Sequence, residues 1–348
     1  MRGRKVRSCG LEPGQIETEE DCLSLARNSD EILIRSLSRE NEELALAWAR
    51  EFVTKGRALE RNYALCGPGD GDSAEVLMKD SASEFKFYAS GRRHCSSMLA
   101  TLELRKRQDL LLGYALAPLL PHEERIDMQV NMHPAAMPPL VLVVATPRLA
   151  RDLQRRNDSQ NDVKTFCHRV EVAKDRIIGW PSDRLAVLAE HSSVFYDLMS
   201  DGVIEQVFSR EAFQAHGHWL RYLHFTTEGS GDHKEVLRFS FTLPPRERMA
   251  ELSKLMSAAM HFIDAVGTYK LKPEQRARAE KLRKDVAACE WRKQDDRRRE
   301  EAEERRTAKK KEELEKLKRL TPAAREKAEA RKQKVDAKRQ IKSRIKVM

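Results

Sequence analysis

Apolar positions first fall into a regular pattern at Asn41. Leu44, Trp48 and Phe52 recur at i, i+4 and i+8, which predicts a helix over Asn41–Asn62 with one buried face. The pattern stops before Gly67-Pro68-Gly69-Asp70-Gly71-Asp72, a composition typical of loops. Upstream, residues 1–40 are polar and show no period, so they read as a flexible leader.

Beyond the loop the period shortens to two. Strands are predicted over Glu84–Ala89 and Cys95–Leu104, joined at Ser90-Gly91 and followed by a helix to Leu116. Ile126, Met128, Val130 and Met132 alternate with polar residues, as in a half-buried strand. After the loop His133–Pro139, the apolar run Leu140–Ala145 reads as a buried strand. Pro147 suits the first turn of a helix reaching Arg156. A third pair of strands, His218–Phe225 and Val236–Leu243, flanks Gly229-Ser230-Gly231. In it Leu237, Phe239, Phe241 and Leu243 share one face. The helix predicted over Arg246–Val266 aligns Leu252, Leu255, Ala259, Ile263 and Val266. Shorter helices are predicted around Asp183–Glu190 and Val203–Phe208. Three strand–strand–helix units imply an α+β fold: a mainly antiparallel sheet with helices on one face, over residues 41–268.

From residue 269 the apolar periodicity fades. Ala, Glu, Lys, Arg and Gln dominate, so residues 269–348 read as a long charged helical tail. Pro273 opens one helix, and Thr321-Pro322 reads as the cap and first residue of a second. Glu274–Arg278, Glu280–Lys284, Glu301–Arg305, Glu312–Lys316 and Glu315–Arg319 are opposite charges at i, i+4. Fully helical, Lys270–Met348 would reach about 120 Å. Leu282, Val286 and Cys289 begin a heptad that Lys293 and Asp296 break, and Leu314, Leu317 and Leu320 form only a short stripe. The pattern predicts a solvated charged helix rather than a coiled coil.

Charge sharpens this division. From Lys270 onward there are 30 Lys and Arg against 16 Asp and Glu, a net of +14 in a chain of +10. The remainder is therefore slightly acidic, at −4. A near-neutral body with a basic arm points to a polyanionic partner for the arm. Basic density peaks where the acids thin out, at Arg325, Lys327, Arg331, Lys332, Lys334, Lys338, Arg339, Lys342, Arg344 and Lys346, against Glu326, Glu329 and Asp336. These ten are the candidate RNA-binding residues, because each neutralised phosphate releases counterions. A merely solubilising charged end is the alternative. Trp291 is the one aromatic residue after Tyr269. Binding is therefore expected to follow the backbone and to be largely independent of base sequence.

Other chemistry finds little support. The six cysteines, Cys9, Cys22, Cys66, Cys95, Cys167 and Cys289, include no C-x-x-C pair and fit a reducing compartment. The loop Gly67–Ser73 lacks the Lys and Ser/Thr of a phosphate loop and the spacing of a calcium loop. His216-Gly217-His218 and Cys167-His168 have no second ligand pair at zinc spacing. Neither a nucleophile elbow nor a zinc-protease or dinucleotide motif occurs. The expectation is a non-enzymatic protein without metal or cofactor. No run approaches the roughly 20 apolar residues that cross a bilayer, and acidic residues from Glu17 follow the basic start, unlike a secretory signal. The chain as written is expected to be cytosolic.

Several segments resemble one family. They are ELALAWAREF from Glu43, FYASGRRHCSSML from Phe87, LRKRQDLL from Leu104, HFTTEGSG from His224, LRFSFTLP from Leu237 and the ending KRQIKSRIKVM from Lys338. They resemble, in order over Asn41–Met348, the calumin family, the ribosome-facing coiled-coil-domain subunit of the PAT complex (protein associated with the ER translocon). The resemblance implies an adaptor in multipass membrane-protein biogenesis at the endoplasmic reticulum, with its cytosolic domain between translocon and ribosome. It implies a tail running along the ribosome near the exit tunnel and a small membrane partner, Asterix, that supplies the intramembrane chaperone surface. It also links the family to calcium homeostasis through an acidic lumenal region. Family members carry a signal peptide, that lumenal region and a membrane helix before the part matching Asn41. Here Glu20, Asp21, Asp30, Glu31 and Arg35 occupy the stretch. Either the natural protein begins upstream of Met1 or this version is soluble, so lumenal calcium binding does not carry over. The expectation is a monomer within a larger complex, held peripherally at the membrane. The rival reading is a soluble RNA- or ribosome-binding protein with no membrane role.

Overall fold

A computed structural model of the chain describes residues 39–67, 76–107, 123–156, 162–173, 175–229 and 231–319, with Lys334 beyond them. Helix α1 (39–52) buries Leu44, Ala45, Trp48, Ala49 and Phe52, the face that the i, i+4 spacing marked. It does not continue to Asn62 as one helix. Gly56 sits at φ +84°, a left-handed conformation that ends the helical run. A short α2 (Ala58–Asn62) then restarts it.

Ten strands among the described residues form one sheet, all paired antiparallel. They are β1 (Leu65–Cys66), β2 (Met78–Lys79), β3 (Glu84–Ser90), β4 (Cys95–Glu103), β5 (Arg125–Met132), β6 (Val141–Ala145), β7 (His168–Val170), β8 (Ala186–Ala189), β9 (Leu220–Thr226) and β10 (Val236–Thr242). The order is β1-β3-β4-β5-β10-β9-β6-β8-β7, with β2 also on β3. The helices are α3 (Pro147–Arg155), α4 (Asp162–Phe166), α5 (Ser192–Leu198), α6 (Asp201–Val203, running into a wider turn over Ile204–Phe208), α7 (Arg210–Ala215), α8 (Ser253–Thr268) and α9 (Pro273–Arg319). The predicted α+β class, with an antiparallel sheet and a long charged C-terminal helix, is what the chain forms.

Alternation decides which side of the sheet is the core. Phe85, Phe87, Met98, Ala100, Leu102, Ile126, Met128, Val130, Phe239 and Phe241 all point to one face, where α1 and α8 cover them. Aromatic rings join the layers: Trp48 meets Phe87 at 5.7 Å, and Phe225 meets Phe262 of α8 at 5.4 Å. Truncating such a ring to Ala typically costs about 3–5 kcal/mol. At the β6–β8 end the opposite face is also covered. Val143, Ala145, Ala186 and Leu188 pack there against Ala150 of α3 and Val163 of α4. This explains why every residue of β6 and β8 is buried and why their sequences show no alternation.

Two readings of the sequence need correction. Asp183–Glu190 is not helical: its apolar core Ala186–Ala189 is β8, a four-residue strand buried on both sides between β6 and β7. Periodicity cannot separate such a run from a helix. The threefold strand–strand–helix repeat also fails. β3 pairs with β4 and β9 with β10, but β5 and β6 are separated by β10 and β9. The helix expected up to Leu116, most of the loop Gly67–Ser73, the leader before Arg39 and the helix from Thr321 lie outside the described residues.

Two charged side chains tie this framework together. Arg92, in the β3–β4 turn, donates to the Asn62 side chain, to the Met260 carbonyl at 3.1 Å and to Asp264 at 2.7 Å. Arg107 follows β4 and pairs with Glu124, just before β5, at 2.5 Å and with Glu40 at 3.4 Å, while also bonding Asn41. One compact unit extends to Ala279 and includes the first turns of α9, where Gln275 donates to Ser193 at 2.7 Å. A second unit begins at Glu280.

Candidate nucleic-acid interface

The basic arm is described as far as Arg319. Of the ten candidate residues, Lys334 alone lies among the described residues, where it is helical and exposed. Arg325, Lys327, Arg331, Lys332, Lys338, Arg339, Lys342, Arg344 and Lys346 lie outside them.

Helix α9 runs 47 residues from Pro273 to Arg319, about 70 Å at 1.5 Å per residue. Proline is well placed at its start because the missing N–H would have no partner within the helix. Glu274 in the first turn complements the positive end of the helix dipole. Ala279 is buried, and no described side chain after it is. The few large apolar groups stand in solvent: Leu282 is 36% exposed and Trp291 62%. The helix is instead braced by charge. Asp295 accepts from Arg299 at 2.9 Å and lies 3.7 Å from Arg298, the i, i+4 and i, i+3 contacts that support helices in water. An exposed helix of this composition offers guanidinium and ammonium groups without a cleft. It can neutralise an extended polyanion, but it cannot enclose a small substrate.

The pairs considered as metal ligands have other partners. His216 donates from Nε2 to the Gln206 carbonyl at 2.6 Å, and His218 stacks on Trp219 at 4.5 Å. Cys167 lies 3.6 Å from the Val141 carbonyl. Among the described residues, no three His, Cys, Asp or Glu side chains gather as a metal cluster.

One buried histidine–carboxylate contact could not be read from the spacing of the sequence. His224 on β9 meets Asp162 of α4 at 2.9 Å, with both side chains largely buried. Burial pushes the Asp162 carboxyl up. The bond and charge of His224, with hydrogen bonds from Thr226 and the Val163 N–H, outweigh it and hold the carboxyl below its usual range. This pair fastens α4 to the sheet. The residues are 62 apart in the chain, so spacing could not have revealed them.

Comparison with known proteins points to one family. The family model of PAT complex subunit CCDC47 matches residues 37–339. An uncharacterized protein of Arabidopsis thaliana is 32% identical over 249 residues, which cover 72% of this chain and 51% of that protein. PAT complex subunit CCDC47 of Xenopus laevis is 26% identical over 271 residues, 71% of this chain and 52% of its own. An endoplasmic reticulum membrane protein of Schizosaccharomyces pombe is 28% identical over 105 residues, 27% of each chain. The chain thus spans about half the length of the first two relatives.

Proposed function

The chain belongs to the family of PAT complex subunit CCDC47, and from that premise we propose that it is a non-enzymatic adaptor serving multipass membrane-protein biogenesis at the endoplasmic reticulum. The observation that carries the reading is the extent of the match. Residues 37–339 take in both the α+β body and nearly all of the basic arm, so the two parts belong to one family design. The fission yeast relative is named as an endoplasmic reticulum membrane protein, in keeping with that site of action.

Within this reading the parts divide by chemistry. The body, residues 41–268, supplies a folded surface for the translocon and for a small Asterix-like membrane subunit. The arm, residues 269–348, supplies positive charge for ribosomal RNA. Its ten residues from Arg325 to Lys346 neutralise backbone phosphates. Among the described residues, no helix is long and apolar enough to cross a membrane. In this reading the body meets the translocon and the ribosome beside the bilayer, as one copy within a larger assembly.

The test is recovery from native membranes. Tagged full-length chain, purified from mildly solubilised microsomes, should bring down ribosome–translocon complexes together with a small membrane subunit. Recovery of ribosomes or RNA alone, with no membrane component, would favour a soluble RNA-binding protein. Recovery of neither would defeat the adaptor reading.

A further inference from the structure

The charges of α9 are not mixed evenly around the helix. Seven-residue steps fall almost in line on an α-helix, drifting by only about 20° each. Trp291, Arg298 and Arg305 therefore form one row, and Arg292, Arg299 and Arg306 form a second. Between them runs Asp295, Ala302 and Lys309, and Lys310 lies beside the second row; the next seven-residue steps, Glu312 and Glu313, end both rows. Over residues 292–311 this side of the helix holds seven cations and one anion. The other side holds five anions, among them Asp296, Glu300, Glu303 and Glu304, and three cations. Even the lone anion of the basic side, Asp295, is engaged by Arg298 and Arg299. A helix built only for solubility gains most from alternating signs around its whole surface. Segregation forgoes many such pairs and concentrates positive potential along one strip.

The same strip carries the most exposed aromatic residue among those described, Trp291, at 62%. It stands seven residues before Arg298. Indole stacks on nucleic-acid bases and has little reason to sit in water on a charged helix. A lipid surface is disfavoured because a helix lying in a bilayer interface needs an apolar face. Apart from Trp291, this strip offers only Ala302. Arginine outnumbers lysine on it five to two, and the planar guanidinium fork suits phosphate oxygens.

We propose that this face of α9, Trp291 with Arg292, Arg298, Arg299, Arg305 and Arg306, is a second RNA-binding site, separate from the basic residues after Arg325. It grips the phosphodiester backbone through the arginines, and Trp291 stacks on an unpaired base beside the duplex. The proposal rests on the ribosome-binding reading above and adds to it a direction: α9 lies on RNA by one face.

The test uses the full chain and two triple variants of equal charge. One changes the face, R292Q/R299Q/R306Q. The other changes the far side, K293Q/R297Q/K311Q. Glutamine keeps helix propensity, and circular dichroism checks that α9 is intact. The probe is a fluorescent RNA hairpin with a single-stranded flank, followed by anisotropy across salt. The face variant should bind about tenfold or more weakly, and its salt slope should fall by about 3. The far-side variant should change by less than about twofold. RNA should quench the Trp291 emission of the intact chain, and Trp291→Leu should abolish that quenching. Equal loss in both triples would show that net charge alone acts and would overturn the proposal. So would tighter binding to vesicles containing phosphatidylserine than to RNA. Ribosome pelleting of the intact chain is run in parallel. If the chain fails to pellet, the ribosome reading falls. If it pellets but the two triples bind the hairpin alike, only the face assignment falls.

Discussion

Arg92 holds three segments with one side chain. Its partners Asn62, Met260 and Asp264 lie in α2 and α8, 30 to 172 residues away, and its side chain is 9% exposed. The guanidinium also stands 5.8 Å from the Tyr63 ring. Hydrogen bonds to a charged group contribute about 1.5–3 kcal/mol each, and partners left buried without them cost more. Arg92→Ala should therefore lower unfolding free energy by about 3 kcal/mol. In urea the midpoint should fall with the slope unchanged, and a midpoint shift near zero would show that solvent replaces these bonds. Asp162 makes a pH prediction. Its folded pKa lies below the ordinary carboxylate value, held there against burial by His224. The resulting stability is present above the unfolded pKa, near 4 for Asp. It is lost as pH falls from there through the lower folded value. Asp162→Asn should be less stable than the natural chain at neutral pH, and the gap should close on acidification. A gap independent of pH would place the stabilisation elsewhere. None of these residues was legible in the sequence, because their partners are remote in the chain. Arg92 and His224 do fall within segments that resemble the family, but the resemblance gives them no structural role.

Secondary-structure elements were legible to the extent that one face of each met water. β3, β4, β5 and β10 alternate apolar with polar residues, and α1 and α8 have apolar stripes, so their positions were readable to within a few residues, and β9 was placed by the turn Gly229-Ser230-Gly231 beside it. β6 was readable as a buried run because a loop and Pro147 bracket it. β8 was not: Ala186–Ala189 is covered by α3 and α4 on one side and the main core on the other, which removes the alternation that marks a strand. Short β7 and α5 likewise gave no period. Strand order was beyond reach, since the insertion of the β9–β10 hairpin between β5 and β6 depends on contacts far apart in the chain. A tight approach at the end of α8 gives a direct test of how that helix packs on the β3–β4 turn. A Cβ on Gly267 would lie 2.5 Å from Cγ of His94 in the β3–β4 turn. Gly267→Ala should destabilise by about 1–3 kcal/mol despite alanine's higher helix propensity. Thermal denaturation decides the sign: a raised melting temperature would mean that the turn yields freely and that propensity wins.

At the scale of the whole molecule, the division into a near-neutral body and a basic arm was readable from charge alone, and the family from the quoted segments. The chemistry of the arm was only half readable. Counting gave +14 from Lys270 onward, but the sorting of charge around α9 emerges once residues 291–310 are known to form one unbroken exposed helix. The same exposure bears on self-association. Leu282, Val286 and Cys289 give no continuous apolar seam, so dimerisation through α9 would bury little. Sedimentation equilibrium of the intact chain should return the monomer mass across a wide concentration range, and a dimer promoted by concentration would show that α9 finds a seam after all. The central claim, that the chain is a ribosome-bound adaptor held by its basic arm, is tested most directly by pelleting purified ribosomes with the intact chain and with a chain lacking residues 321–348. The account predicts that the intact chain pellets near 50 mM salt and loses affinity by about 10³-fold or more towards 200 mM, as expected when several phosphates are neutralised. The shortened chain should bind more weakly and with a shallower salt dependence. Binding that ignores both salt and the deletion would contradict it.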